Sequence, residues 1–246
     1  MALTASPADQ ALLLDLQKLD TTLQQLAHRL ANLPETAVLS TLDGDAARLR
    51  SRLSSEQGAW EDAQAELRRV ESDVSLVEAR IARDEQRLAS SSNSKDAMAL
   101  QGELASLGKR RGDLEDAELE IMERVEGLCA VVSTTTSELS EIDVRRRDAE
   151  TSRESTSAEI ETERQGVVRD RENLAGKVPD ELLALYERQR ARYGVGASLL
   201  RGGVSSASGV ALTGSDLARV RAAARDEVIL CPDSDAILVR TDESGI

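Results

Sequence analysis

The chain has 246 residues and a net charge of −14, with no phenylalanine, one tryptophan and two tyrosines. A globular core of this size normally buries many aromatic side chains, so this composition, dominated by Ala, Leu, Glu, Arg, Asp and Ser, favours long helices. Residues 1–177 carry 35 acidic and 23 basic groups. Their acidity disfavours non-specific binding of nucleic acid along that part of the chain, because phosphates are repelled.

The small number of cysteines and the shortness of the apolar runs indicate in which cellular compartment the protein works. Cys129 and Cys231 are the only two cysteines, too few for a disulfide framework. No apolar run approaches the ~20 residues needed to span a bilayer, and the N-terminus lacks a basic segment followed by an apolar one. We therefore expect a cytoplasmic protein that does not bind membranes.

The first predicted element is a short helix that begins at Ser6 and Pro7. Ser6 is a favourable N-cap residue, and Pro7 suits the first helical position. Pro34 ends or kinks this helix, because proline lacks the donor N–H and its ring clashes with the preceding turn. The predicted apolar stripe consists of six leucines at alternating spacings of four and three: Leu12, Leu16, Leu19, Leu23, Leu26 and Leu30.

Two longer heptad runs follow, joined by the polar segment Ser90–Asp96. Apolar residues alternate at spacings of four and three from Leu42 to Leu88, and again from Leu100 to Ile142. Two such runs joined by a short turn predict a long antiparallel coiled-coil hairpin, with helices over about 35–89 and about 94–174.

Three details of this hairpin are predicted. Glu56 and Asp84 are the polar exceptions in the first heptad run. Positions that face each other should have numbers summing to about 188. The return helix extends beyond the end of the first arm, so we expect the N-terminal helix to pack antiparallel on residues 155–174, at the base of the hairpin.

The composition changes after Lys177. A linker helix is predicted to start within Val178–Glu181 and to end near Tyr193 and Gly194. A region rich in Gly and Ser follows, with a helix over about 214–224. The short strand-prone segments in this region are Ala197–Leu200, Val210–Leu212, Val228–Leu230 and Ile237–Val239. We therefore expect a mainly α fold with two domains: the hairpin with its basal helix over 1–177, and a small β-rich module with its linker helix over 178–246.

Several motifs resemble a family of bacterial coiled-coil proteins with a C-terminal four-cysteine zinc ribbon, most closely its actinobacterial branch. The resemblance covers nearly the whole chain, and its strongest match is Asp216–Ala224. The other matching segments are Ser94–Asp96, Leu100–Leu104, Pro179–Arg188, Asp226–Val228 and Ile237–Thr241. The family implies a zinc-binding module in which two CxxC turns each supply two thiolates.

The resemblance places the family's four ligand positions at Ser205, Ser208, Cys231 and Ser234. Three of the four are serines, and one thiolate does not hold zinc tightly. Even with an oxygen from Asp233, the ligand set is too small for a structural site. We therefore expect a ribbon-like module that has lost its metal, and no cofactor.

No catalytic pattern emerges from the sequence. His28 is the only histidine, and no second metal ligand or catalytic partner stands near it. The glycine pairs near 194–196 and 202–203 do not follow the strand–loop–helix pattern of a phosphate-binding loop. We therefore expect a protein that is not an enzyme.

Two surfaces are candidates for binding partners. One is the hairpin tip, with Ser94, Lys95 and Asp96. The other is a basic cluster beside the ribbon-like module: Arg219, Arg221 and Arg225. The leading hypothesis is an adaptor that binds protein partners through the tip and the tail. The alternatives are a regulator that binds RNA or DNA through the tail, and a purely structural protein. The sequence leaves the oligomeric state open.

Overall fold

The computed structural model describes residues 3–245, which fold as two compact units. One, the hairpin unit, is Glu35–Thr151, and the other, the terminal unit, combines the described residues up to Pro34 with those from Ser152 onward. The elements are α1 (Pro7–Ala31), α2 (Pro34–Ser90), α3 (Ser94–Ala175), α4 (Asp180–Tyr193), β1 (Ala197–Arg201), β2 (Val204–Ser205), α5 (Gly214–Ala222) and β3 (Ile237–Val239), followed by the 3-10 turn Asp242–Ser244.

In the hairpin unit, α2 and α3 pack through the predicted apolar seam. A buried cluster joins Ala46 and Ile142, with Leu49 and Leu139 packed against it. The residue numbers in each pair, Ala46 with Ile142 and Leu49 with Leu139, sum to 188, as the predicted register requires. The predicted fold class, a mainly α chain with a long antiparallel helical hairpin and a small C-terminal β-rich module, is confirmed.

The two polar positions in the seam of α2 have charged or hydrogen-bonding neighbours. The Glu56 carboxylate accepts a hydrogen bond of 2.6 Å from the hydroxyl of Thr135, which is fully buried in α3. This bond lowers the pKa of Glu56; burial opposes the shift, and the ion pair with Arg52 reinforces it. Asp84 is buried between the guanidinium groups of Arg80 and Arg87. These pairings explain how a carboxylate is tolerated in an apolar seam.

The terminal unit has its own core, built from segments far apart in the sequence. One buried cluster joins α1, α4, β1 and β3 and includes Leu13, Leu16, Leu182, Tyr186, Ile237 and Val239. A second contains Leu200, Val220, Cys231 and Leu238. A Cβ atom at Gly196 would lie 2.5 Å from the Tyr186 ring, so only glycine allows this close packing. The sheet order is β2-β1-β3, with β1 antiparallel to β2 and parallel to β3.

Two of the predicted strands are absent. The segments 210–212 and 228–230 each make only a single bridge, Val204 to Ala211 and Leu230 to Ile237. The backbone of Val228 instead donates to the carbonyl of Leu3. Short strand-prone segments form a strand only where a neighbour continues the ladder. The N-terminal segment contacts Val228, and residues 210–212 pair with the two-residue strand β2, so neither ladder continues.

The helix α1 lies antiparallel to the last part of α3, as expected. Arg29 pairs with Glu163 at 3.6 Å, and Asp20 pairs with Arg171 at 2.6 Å. The start of α1 also contacts the C-terminal part of the chain, where the Ala5 N–H donates to the Asp226 carbonyl at 2.8 Å. The core of the terminal unit therefore depends on α1.

A buried ionic network joins α1, α3 and α4. Asp20, only 2% exposed, accepts hydrogen bonds of 2.6 Å from the Tyr186 hydroxyl and of 2.6 Å from Arg171 Nε. Arg190 also reaches Asp20, at 3.3 Å, and Glu187 bonds both arginines. Burial and the bond to Asp20 raise the pKa of Tyr186, so this hydroxyl remains a donor.

Replacing Asp20 by Ala should destabilise the terminal unit by about 3 kcal/mol, because two partly buried guanidinium groups lose their shared partner. The matched control is Asp15→Ala in the same helix, where an exposed carboxylate pairs with Lys18 at 2.9 Å. That control should cost less than about 1 kcal/mol. Urea unfolding followed by circular dichroism measures both, and equal losses would contradict a structural role for the network.

Candidate interaction sites

The hairpin tip is a short, well-capped turn. The Asn93 side chain accepts a hydrogen bond of 3.0 Å from the Lys95 N–H and donates one of 3.0 Å to the Asp96 carboxylate. Ser94 is the first residue of α3. The Lys95 ammonium has no ion-pair partner among residues 3–245, and Met98, one turn into α3, is 71% exposed. The tip therefore presents a free cation and an apolar side chain on a fixed backbone, and sequence reasoning missed Met98.

The two segments that resemble zinc-binding turns share one backbone pattern. In 205–210 and in 231–236, the first N–H donates to the carbonyl five positions on, and the fifth N–H donates back to the first carbonyl, at 2.8–3.2 Å. The fifth residue is Gly209 in one turn and Asp235 in the other, and both have positive φ, 67° and 54°. The backbone of a paired-turn module is therefore present.

Serine hydroxyls surround the single thiol of this module. Cys231 and Ser205 are fully buried, and the Ser205 hydroxyl lies 2.7 Å from that of Ser198. Burial raises the pKa of the Cys231 thiol, but the nearby hydroxyls of Ser234 and Ser205 and the backbone at Asp233 and Ser234 outweigh it, so the pKa lies below its usual value. Three of the four family ligand positions, Ser205, Cys231 and Ser234, thus come together.

The fourth of these positions, Ser208, makes its hydrogen bond within its own turn. Its hydroxyl accepts this bond, of 3.2 Å, from the Val210 N–H. One thiol and three hydroxyls do not fit zinc, which takes thiolate, imidazole or carboxylate ligands. Within residues 3–245 there is no group of three or more His, Cys, Asp or Glu side chains arranged to hold a metal. The hydroxyl of Ser205 forms a hydrogen bond with that of Ser198, a residue that sequence reasoning missed.

The three arginines predicted as a basic cluster have separate environments. Arg219 pairs with Asp216 at 3.3 Å in the first turns of α5. Arg221 and Arg225 line a groove between the start of α1, the end of α5 and the C-terminal turn. Neither has an ion-pair partner in the described part of the chain. Only two of the three arginines therefore form a candidate surface.

A further arginine shapes this groove. Arg240 donates hydrogen bonds to carbonyl groups at and after the end of α5, including those of Ala223 at 3.1 Å and Ala224 at 2.7 Å. These bonds satisfy carbonyl groups that the end of a helix leaves without partners. Arg240 is therefore a structural residue, whereas Arg221 and Arg225 are available to a ligand.

The remaining residues considered from the sequence lie apart from these sites. His28 is exposed near the end of α1, and Cys129 is exposed on α3. None of the helices between residues 3 and 245 has the long apolar stretch that crossing a bilayer requires.

Restoring thiols at the three serine positions tests whether the paired turns keep a metal-binding geometry. We expect the variant Ser205→Cys/Ser208→Cys/Ser234→Cys to be purified with about one zinc per chain, because two paired turns then supply the four thiolates of a structural zinc site. The control Ser208→Cys alone supplies too few ligands and should carry far less. Elemental analysis measures both, and a metal-free triple variant that is still folded would contradict the shared turn geometry.

Comparison with known proteins places this architecture in a family. Two uncharacterised proteins from strains of Mycobacterium tuberculosis are each 36% identical over 239 residues, which is 97% of this chain and 98% of the relative. A solved structure from Mycobacterium smegmatis is 33% identical, with a TM-score of 0.84 over 97% of this chain and 100% of that one. The structure of CT398 from Chlamydia trachomatis, 19% identical, shares the fold, with a TM-score of 0.62 over 94% of this chain and 97% of that one. Residues 16–194 match the CT398-like coiled coil hairpin domain, and the chain belongs to that family.

Proposed function

We propose that the protein is a non-catalytic adaptor that holds one protein partner at the hairpin tip and another at the ribbon-like module. The observation that carries this proposal is the tip itself. Lys95 has no ion-pair partner in the described residues and Met98 is 71% exposed, although both belong to a helix start fixed by the Asn93 cap. A free cation beside an exposed apolar side chain suits a partner with an apolar knob and an acidic rim.

The ribbon-like module offers a second surface that, like the tip, has exposed apolar side chains. Val204 and Val210 are 36% and 51% exposed, and Val204 belongs to the edge strand β2. The backbone beside β2 is already bridged by Ala211, so a partner would meet the exposed apolar side chains of this surface. This surface and the tip belong to different units, which supports an adaptor with two independent partners.

The tip is tested by changing its chemistry without changing its backbone. The variant Lys95→Glu/Met98→Asp should reduce recovery of at least one crosslinked protein by about tenfold, because it reverses the charge and removes the apolar contact. The matched control, Lys109→Glu/Leu119→Asp, makes the same two changes at exposed positions elsewhere on α3. Quantitative mass spectrometry compares them, and equal recovery with both variants would contradict docking at the tip.

One observation favours a second candidate function, the binding of RNA or DNA by the terminal unit. Arg221 and Arg225 line one groove and lack ion-pair partners among residues 3–245. Unpaired guanidinium groups in a groove are suited to phosphate. The acidic composition of the chain disfavours this function everywhere else.

Filter binding to single-stranded RNA across a salt series tests whether the terminal unit binds nucleic acid. If the groove binds phosphate, Arg221→Glu/Arg225→Glu should weaken binding at least tenfold and reduce the salt slope by about two. Arg219→Glu, at the arginine already paired with Asp216, should change binding much less. The absence of binding by the unmodified chain at low salt would remove this function.

A further inference from the structure

A groove with a volume of about 580 Å³ lies in the terminal unit, between the start of α1, the end of α5 and the C-terminal turn. This volume is within the range of ~300–1,000 Å³ that is usual for ligand sites in proteins. Small side chains from two elements form its apolar lining: Pro7, Ala8 and Ala11 from α1, and Val220 and Ala223 at the end of α5. The groove can therefore accept small apolar groups of a ligand.

The charged part of the lining is mainly positive. Arg221, Arg225 and Arg240 line the groove, whereas Asp242 is the only carboxylate among the described residues that line it. Arg240 directs its two terminal nitrogens at backbone carbonyls. Arg221 and Arg225 have no ion-pair partner within residues 3–245, so their guanidinium groups are free to bind a ligand.

The carboxylates close to these arginines in the sequence do not neutralise them. Asp216 and Glu243 already form ion pairs with other arginines, at 3.3 and 3.7 Å. Asp226 and Glu227 lie outside the lining and form no ion pair in the described part of the chain. Their segment pairs through its backbone with N-terminal residues. The lining is therefore positive, although the chain as a whole has a net charge of −14.

The two kinds of lining define the chemistry of the ligand. A guanidinium group binds a carboxylate through two parallel hydrogen bonds, which are stronger than bonds between neutral groups. Small apolar side chains are buried favourably against other apolar groups. A ligand that uses the whole groove therefore carries carboxylates next to small apolar side chains, as an acidic peptide segment does.

An acidic peptide fits this lining better than a nucleic acid does. None of the described residues that line the groove is aromatic, so the groove offers no platform on which bases can stack. The Asp242 carboxylate repels a phosphate backbone, which has no hydrogen-bond donor to offer. The same carboxylate can accept a hydrogen bond from a peptide N–H. These features favour a protein as the partner.

We propose that the groove binds an acidic segment of a protein partner, in which glutamate or aspartate alternates with alanine, valine or other small apolar residues. Arg221 and Arg225 bind the carboxylates, and the apolar side chains of α1 and α5 contact the small residues between them. The inference rests on the proposed function, in which the C-terminal part of the chain holds a protein partner, and it names the site and the chemistry of that contact.

The arginines are tested with a fluorescent peptide that alternates glutamate with alanine and valine. Its binding to the full chain is measured by anisotropy at low salt. Arg221→Ala/Arg225→Ala should weaken binding at least tenfold, because two charge-assisted contacts are lost. The matched control is Arg169→Ala/Arg188→Ala, which removes two exposed arginines of the same unit that lie outside the groove and also lack ion-pair partners among the described residues. It should leave binding unchanged.

The groove itself is tested by filling it while both arginines stay in place. Ala8→Trp puts a large side chain into the lining on the α1 side and should weaken peptide binding at least tenfold. Ala27→Trp, at an exposed alanine of the same helix outside the groove, should have no effect. Circular dichroism checks that both variants keep their helices. Equal binding by the two variants would show that the peptide is attracted only to surface charge, and would contradict the proposal.

The chemistry of the ligand is tested with two matched peptides. Replacing every glutamate by glutamine should weaken binding at least tenfold, because the bonds to guanidinium lose their charge. Replacing alanine and valine by serine should also weaken it, because the apolar contact is lost. Undiminished binding of the glutamine peptide would overturn the proposal.

Three further results would overturn it. One is no binding of the acidic peptide at low salt. Another is single-stranded RNA that displaces the peptide and binds more tightly, which would assign the groove to nucleic acid. The last is self-association of the unmodified chain that Arg221→Ala/Arg225→Ala abolishes, which would assign the groove to a second copy. The variants used here do not alter the hairpin tip, so failure of the groove leaves docking at the tip standing, and the reverse also holds.

Discussion

The apolar seam between α2 and α3 is the constraint on which the hairpin unit depends. A two-helix coiled coil has no interior beyond this seam, so every residue outside it meets solvent or a partner. The seam tolerates Glu56 only because Thr135 and Arg52 satisfy it, and Asp84 only because two arginines flank it. Function in such a unit has to come from exposed side chains, and Lys95 and Met98 at the tip are such side chains.

The terminal unit depends on a different kind of contact, made between distant parts of the chain. Tyr186 packs against Gly196 at a distance that no other residue allows, and its hydroxyl donates to the buried Asp20 of α1. The turns at 205–210 and 231–236 share one backbone hydrogen-bond pattern. Packing against α1 and hydrogen bonds such as Ser198 to Ser205 stabilise this part of the chain.

The sequence predicted those parts of the fold that follow from local periodicity. The heptad spacing located the hairpin and its turn, and Ser6 with Pro7 located the start of α1, whose cap is seen in the Asp9 N–H bond of 3.1 Å. The strands predicted over 210–212 and 228–230 were wrong. The partner for Val228 is the N-terminal segment, more than 200 residues away, and 210–212 makes only one bridge to the two-residue strand β2. The network around Asp20 and the separate environment of Arg219 were also missed, since neither depends on spacing along the chain.

The central functional claim is that partners dock at the tip, and site-specific photocrosslinking tests it most directly. Benzoylphenylalanine is placed at Met98 in one sample and at Leu119, another exposed apolar position of α3, in a second. Docking at the tip predicts a discrete crosslinked protein from position 98 and none from position 119. The same adducts from both positions, or an adduct from position 119 alone, would contradict it.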